Sequence, residues 1–127
     1  MIVIDTSAVM AIALGEPTAA DCSKAIENAD RFLMSAVTKI ELMIVAARRN
    51  RMEDVEIALQ TIDLEIASVT ETTINQVTAA YEQWGKGIHP AGLNICDCFA
   101  YALAKDQGCP LLFVGDDFSK TDVTGVL

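Results

Sequence analysis

Four acids stand where a folding chain can least accommodate an unpartnered charge. Asp5 follows Met1-Ile2-Val3-Ile4, Glu41 precedes Leu42-Met43-Ile44-Val45-Ala46-Ala47, Asp97 lies inside Ile95-Cys96-Asp97-Cys98-Phe99-Ala100, and Asp116 follows Leu111-Leu112-Phe113-Val114-Gly115. Each borders an apolar run that folding must bury, and an ionised carboxylate withdrawn from water costs several kcal/mol unless it is paired or holds a cation. The neighbouring residues offer no obvious basic counterpart. A fold that gathers all four around one divalent metal resolves the four costs together.

The apolar runs themselves alternate with helical stretches. Ile2 to Ile4 is β-branched and reads as a strand buried on both faces of a parallel sheet. Thr6 or Ser7 is expected to cap a helix through Ala8 to Leu14, stopped by Gly15 and Pro17, and a second helix is expected over Thr18 to Ala29. Phe32 to Ser35 is the second strand candidate. Thr38 opens a long apolar helix ending near Arg49-Asn50, and Glu53 to Thr61 forms another. Leu64 to Val69 alternates as a third strand, and Thr70 precedes a helix over Glu71 to Trp84 that Gly85 and Gly87 end. After a loop from Lys86, Asn94 caps a helix to Gln107, Gly108 stops it, Leu111 to Val114 is a fourth strand and Val123 to Val126 a candidate fifth. Strands separated by helices imply a mostly parallel sheet covered on both faces, and 127 residues suit one domain over 1–127.

In open sheets of this kind the functional crevice lies beyond the carboxyl ends of the strands. Asp5 and Asp116 follow their strands at once, and Glu41 and Asp97 sit near the starts of helices that can project back over the same edge. Asn94 and Tyr101 fall three and four residues from Asp97, on its helix face, where they can hydrogen-bond the acid or its ligand. Taken singly, each acid has an innocuous role: Asp5 or Asp97 as a cap, Glu41 near a helix start, Asp116-Asp117 as a turn. Taken together, clustered carboxylates without histidine suit a hard cation held through oxygen, magnesium or manganese rather than zinc. Such an ion serves phosphoryl chemistry, and phosphodiester hydrolysis follows. No phosphate-binding G-x-x-x-x-G-K-[ST] loop and no G-x-S-x-G elbow occurs.

Nine basic against eighteen acidic side chains give a net charge of -9, so contact with nucleic acid must be local rather than driven by the field of the whole molecule. The one basic cluster, Arg48, Arg49 and Arg51, complements the carboxyl end of a helix dipole or else grips phosphates or an acidic partner. Cys22, Cys96, Cys98 and Cys109 lack zinc-site spacing and are expected as buried thiols, and the single His89 beside Pro90 is a loop residue. An apolar fraction of 52% and a mean hydropathy of +0.34 are high. Yet no run reaches the roughly 18 apolar residues of a membrane span, no basic leader precedes Asp5, and a cytoplasmic protein with an apolar patch for a partner is expected.

Asp5-Thr6-Ser7 after the first strand, Glu41 in Ser35-Ala36-Val37-Thr38-Lys39-Ile40-Glu41-Leu42, the segment Leu93 to Ala104 around Asp97, and Leu111 to Asp122 around Gly115-Asp116-Asp117-Phe118 together resemble the PIN domain, and most closely its VapC-type ribonuclease toxins. The likeness spans nearly the whole chain, with four motifs in the family's order. It implies a three-layer α/β/α sandwich, a magnesium- or manganese-dependent endoribonuclease acting on RNA, a VapB-type antitoxin as partner, and a homodimer. Asp5, Glu41 and Asp97 match the family's first three acids. Relatives commonly read Gly-Asn-Asp-Phe at Gly115-Asp116-Asp117-Phe118, so the resemblance leaves Asp116 and Asp117 both open as the fourth acid and metal ligand. Ser7 matches a position that supports the metal or its waters, and Ile95-Cys96 replaces the usual Phe-Gly.

Other classes fit the residues less well. A haloacid-dehalogenase-like phosphatase needs a second acid two residues after the first, where Ser7 stands. A receiver-type signalling module needs an acceptor aspartate ending the third strand, which here runs into Ser68-Val69-Thr70. A PIN scaffold that only binds would have no need of all four acids.

Overall fold

The structure, a computed structural model, describes residues 1–127. Strand β1 (Ile2–Ile4) leads into α1 (Thr6–Leu14) and α2 (Ala19–Glu27), and β2 (Phe32–Ser35) into α3 (Ala36–Arg48) and α4 (Met52–Gln60). Strand β3 (Leu64–Ala67) leads into α5 (Glu71–Trp84) and α6 (Ile95–Gln107), and β4 (Leu111–Leu112) closes the sheet. The strand order is β3-β2-β1-β4 with every neighbouring pair parallel, so all carboxyl ends lie at one edge. The first three strands step outward in one direction, and β4 then returns to the far side of β1. That reversal puts the crevice of an open sheet between β1 and β4.

Period-two alternation along these short strands divides the interior in two. Ile2, Ile4, Met34 and Leu112 face one cluster with Ala8, Val9, Ala11, Leu42, Ala46 and Val55 from α1, α3 and α4. Val3, Leu33 and Leu111 face the other, with Val77 and Ala80 of α5, Cys98, Ala100, Tyr101 and Ala104 of α6, and Phe118. The result is the expected three-layer α/β/α sandwich. Helices α1 and α6 both end on a glycine in the left-handed region, Gly15 at φ 63° and Gly108 at φ 60°, each returning its N–H to the last turn.

Several boundaries differ from the sequence expectation, and three of them are set by a side-chain hydrogen bond. The cap of α1 is Asp5 itself, not Thr6 or Ser7, because its carboxylate takes the Ser7 N–H at 3.1 Å. Helix α3 starts at Ala36 rather than Thr38, since Ser35 Oγ, at the end of β2, accepts from Val37 N at 3.2 Å. Strand β4 stops at Leu112 because Val114 N donates to Ser7 Oγ at 3.0 Å instead of to a neighbouring strand. Val123 to Val126 forms no fifth strand; it contributes one bridge, Gly125 opposite Leu111.

The segment after β4 is held by Phe118, 2% exposed, whose ring lies tilted at 57° against Phe113 with centroids 5.1 Å apart. Phe118→Ala is expected to cost about 3 to 4 kcal/mol in urea denaturation. A loss below about 1 kcal/mol would mean the ring does not anchor this segment.

Candidate active site

Asp5 leaves β1 at the carboxyl edge and is 6% exposed. Ser7 secures it twice, its N–H at 3.1 Å and its hydroxyl at 2.6 Å, both donating to Asp5 Oδ2. The same hydroxyl oxygen accepts from Val114 N, so one side chain joins the end of β1 to the segment following β4 across the switch point. Ser7 therefore contacts Asp5 directly.

Glu41 lies in the sixth position of α3, half-buried, past the first turn whose free N–H groups serve an acid at a helix start. Its partner is Thr6, whose hydroxyl donates to Glu41 Oε1 at 2.8 Å. Cys96 lies against Glu41 from α6. Asp97, the third residue of α6, completes a reciprocal cap: its N–H donates to Asn94 Oδ1 at 2.8 Å, and its Oδ2 accepts from Asn94 N at 3.1 Å. Both innocuous roles, Asp5 and Asp97 as caps, are thus real, and they fix the carboxylates that a site needs.

Electrostatics show which acids are neighbours. Burial pushes the Asp97 carboxyl up to about 6, and the charges of Asp5, Asp117 and Glu41 add to it. Burial likewise raises Asp5, with Glu41 adding and the Ser7 bonds opposing. From the segment after β4, the charge of Asp117 contributes to the shift at Asp97. Asp116 turns the backbone, its carbonyl accepting from Ser119 N at 3.1 Å and Ser119 Oγ at 2.7 Å. The ion pairs of the chain, Met1–Asp30, Arg31–Glu65, Arg51–Asp54 and Lys105–Asp122, all lie elsewhere.

No three His, Cys, Asp or Glu side chains stand close enough to form a ready-made metal cage. The donor chemistry nonetheless fits an oxygen-seeking ion of the magnesium kind, which keeps several waters and takes one or two carboxylates rather than a full protein shell. Asp97 Oδ1 receives no hydrogen bond from the chain, and no side-chain cation offsets the four acids. A hollow of about 560 Å³ lies between Met1, Lys24, Asp30 and Leu127, and Asp5, Glu41, Asp97 and Asp117 do not line it. The acids occupy an open edge of the sheet rather than a deep cavity.

Other sequence candidates fall outside this centre. Tyr101 does not reach Asp97: its hydroxyl donates to Asp122 Oδ1 at 2.5 Å and accepts from Trp84 Nε1 at 2.9 Å. His89 Nδ1 accepts from Ala91 N, with the ring edge-on to Trp84. Arg48, Arg49 and Arg51 are exposed around the carboxyl end of α3, Arg48 about 10 Å along the axis from Glu41. Cys22 and Cys98 are buried as expected, whereas Cys96 and Cys109 are half-buried, and burial beside Glu41 pushes the Cys96 thiol up to about 11. Sequence reading missed Thr6 and Cys96 as contacts of Glu41, for only the packing of α1 and α6 against α3 brings them there.

Comparison with known proteins gives a consistent picture. The PIN domain family profile matches residues 2–123. Ribonuclease VapC42 of Mycobacterium tuberculosis is 38% identical over 125 residues, covering 95% of each chain. Ribonuclease VapC30 of the same species is 39% identical over 127 residues, covering 98% of this chain and 97% of that one. Among solved structures, M. tuberculosis VapC20, described as a toxin that cleaves the sarcin-ricin loop, superposes with a TM-score of 0.79 at 16% identity, covering 99% and 98% of the two chains. VapBC2 of Rickettsia felis, bound to a promoter DNA fragment, superposes with a TM-score of 0.70 at 15% identity, covering 98% and 96%.

The raised Asp97 carboxyl makes metal-free stability depend on pH. A carboxyl that holds its proton more tightly in the folded state favours folding below its ordinary value of 3.8, and this contribution is lost as pH rises through about 6. Two units correspond to about 3 kcal/mol, reduced by partial solvent access to roughly 1 to 2 kcal/mol. In the presence of chelator, Asp97→Asn, which keeps an oxygen for Asn94 N, is expected to melt higher than the parent at pH 7.5 and equally at pH 4. A variant that melts lower at pH 7.5 contradicts this origin of the shift.

Proposed function

The chain belongs to the PIN-domain family, and from that premise we propose that it is a VapC-type endoribonuclease hydrolysing RNA phosphodiester bonds with a magnesium or manganese ion at the acidic edge of its sheet. The observation that carries this reading is the set of acids at the carboxyl edge of the sheet, Asp5 and Asp117 following β1 and β4, and Glu41 and Asp97 on α3 and α6, with no side-chain cation paired to any of them. A protein gains nothing in stability from such a group. Asp5, Asp97 and Asp117 are the ligands of this proposal, in which Asp117 takes the place that the motif leaves open between Asp116 and Asp117. When bound, the ion supplies charge neutralisation at the scissile phosphate and a polarised water.

The chain's own groups do the rest. Ser7 holds Asp5 and Asn94 holds Asp97, so both carboxylates are already oriented to receive the ion. The net charge of -9 gives RNA no long-range attraction, and a divalent ion at the acids would offset part of their charge and supply a local positive partner for a phosphate.

A VapB-type antitoxin and a homodimer belong to the same reading. Exposed apolar side chains on α3, α4, α5 and α6, among them Ile40, Ile44, Ile57, Ile74 and Ile95, supply surface for such contacts. No helix is long and apolar enough to cross a membrane.

Purified protein incubated with structured RNA and Mg²⁺ or Mn²⁺ is expected to cleave it, and chelator to stop the reaction. Asp5→Asn and Asp97→Asn are expected to lose at least about 100-fold in rate, and Asp117→Asn to lose more than Asp116→Asn. Cleavage that persists unchanged in Asp5→Asn or Asp97→Asn rules the reading out.

A further inference from the structure

Two of the acids at the edge are held by groups close to them in sequence, whereas Glu41 is held from a distant element. Asp5 is tied by Ser7 two residues on, and Asp97 by Asn94 three residues back. Glu41 sits past the free N–H groups of its own helix, so nothing within α3 orients its carboxylate. The group that reaches it is the hydroxyl of Thr6, thirty-five residues away in sequence and 8% exposed.

We propose that Thr6 is a positioning residue for the hydrolysis, its buried hydroxyl fixing the Glu41 carboxylate at the seam where α1, α3 and α6 meet. This rests on the ribonuclease reading of the same site.

A threonine hydroxyl has one proton to give. Two acceptors lie within reach, Glu41 Oε1 at 2.8 Å and the Thr38 carbonyl at 3.4 Å, and the shorter, charge-assisted bond takes it. Thr6 is the first residue of α1, directly after Asp5, so its backbone is already set by the cap that fixes Asp5. The consequence is mechanical. Two consecutive hydroxyls on one rigid turn address two different acids, Ser7 turning to Asp5 and Thr6 to Glu41, and the spacing between those acids is set by a single peptide unit. Without the Thr6 proton the carboxylate would turn outward to water, and Glu41 would be present but misplaced.

The test is a double-mutant cycle with two readouts, Mn²⁺ affinity of the metal-free protein by calorimetry and the rate of RNA cleavage. Thr6→Val keeps the branched shape and removes the proton, Thr6→Ser keeps the proton, and Glu41→Gln removes the charge. Thr6→Val is expected to weaken Mn²⁺ binding or lower kcat by 10- to 100-fold with KM for RNA little changed, and Thr6→Ser to restore most of the loss. In the Glu41→Gln background Thr6→Val is expected to have no further effect. Equal losses in both backgrounds, a fall in melting temperature that Thr6→Ser does not reverse, or a Thr6→Val protein that binds Mn²⁺ and cleaves like the parent overturns the proposal. A parent protein that cleaves no RNA fails the ribonuclease reading alone, and the Mn²⁺ cycle then decides the role of Thr6.

Discussion

The burial of Asp5 sets the terms for the rest of the molecule. A carboxylate at the end of the central strand, 6% exposed and without a cationic side chain, is an expensive group to fold around. Ser7 reduces the cost with two hydrogen bonds, and in doing so takes the Val114 N–H out of the sheet. The start of α1 follows from the Ser7 N–H, and the short β4 and the path of the chain beyond it from the Ser7 hydroxyl. Strand β1 has to be central for this to work, because only a strand flanked by β2 and β4 brings the switch point beside its own last residue.

Stability and chemistry pull against each other at this edge. Asp97 is raised to about 6 by burial and by Asp5, Asp117 and Glu41, so the acids resist being together until something positive joins them. The two apolar layers supply the opposing energy: one packs α1, α3 and α4 under Ile2, Ile4, Met34 and Leu112, the other α5 and α6 under Val3, Leu33 and Leu111. Each layer also delivers one acid, Glu41 from the first and Asp97 from the second, and the sheet delivers Asp5 between them. The site is therefore a place where three packed layers meet, and it inherits their rigidity.

Much of the polar detail around the acids concerns the direction in which they point. Asn94 and Asp97 exchange hydrogen bonds as a helix cap, Ser7 bonds Asp5, and Thr6 bonds Glu41. The aromatic group of Trp84, Tyr101 and His89 has a different task, joining the α5–α6 pair to Asp122 beyond β4. Tyr101 shares a helix with Asp97 but not its surroundings. Spacing along a helix places residues on a common face, and neighbouring elements then choose which of them become partners.

The element order, the parallel sheet and the acids Asp5, Glu41 and Asp97 were readable from sequence, because short β-branched runs, glycine stops and acids at the borders of apolar segments are local signals. Glycines 15 and 108 end their helices for a reason that any such sequence carries, the ease of the left-handed conformation. What depended on tertiary structure was every relation between distant segments. The end of β4 at Leu112 needed Ser7; the absence of a fifth strand needed the single bridge at Leu111; the path of the segment carrying Asp116 and Asp117 needed the anchoring of Phe118. Thr6 reads as an ordinary helix-start residue until α1 packs against α3 and its hydroxyl meets Glu41. Sequence sets where a chain turns and what it buries, whereas a hydrogen bond across thirty-five positions exists only once two helices have been laid side by side.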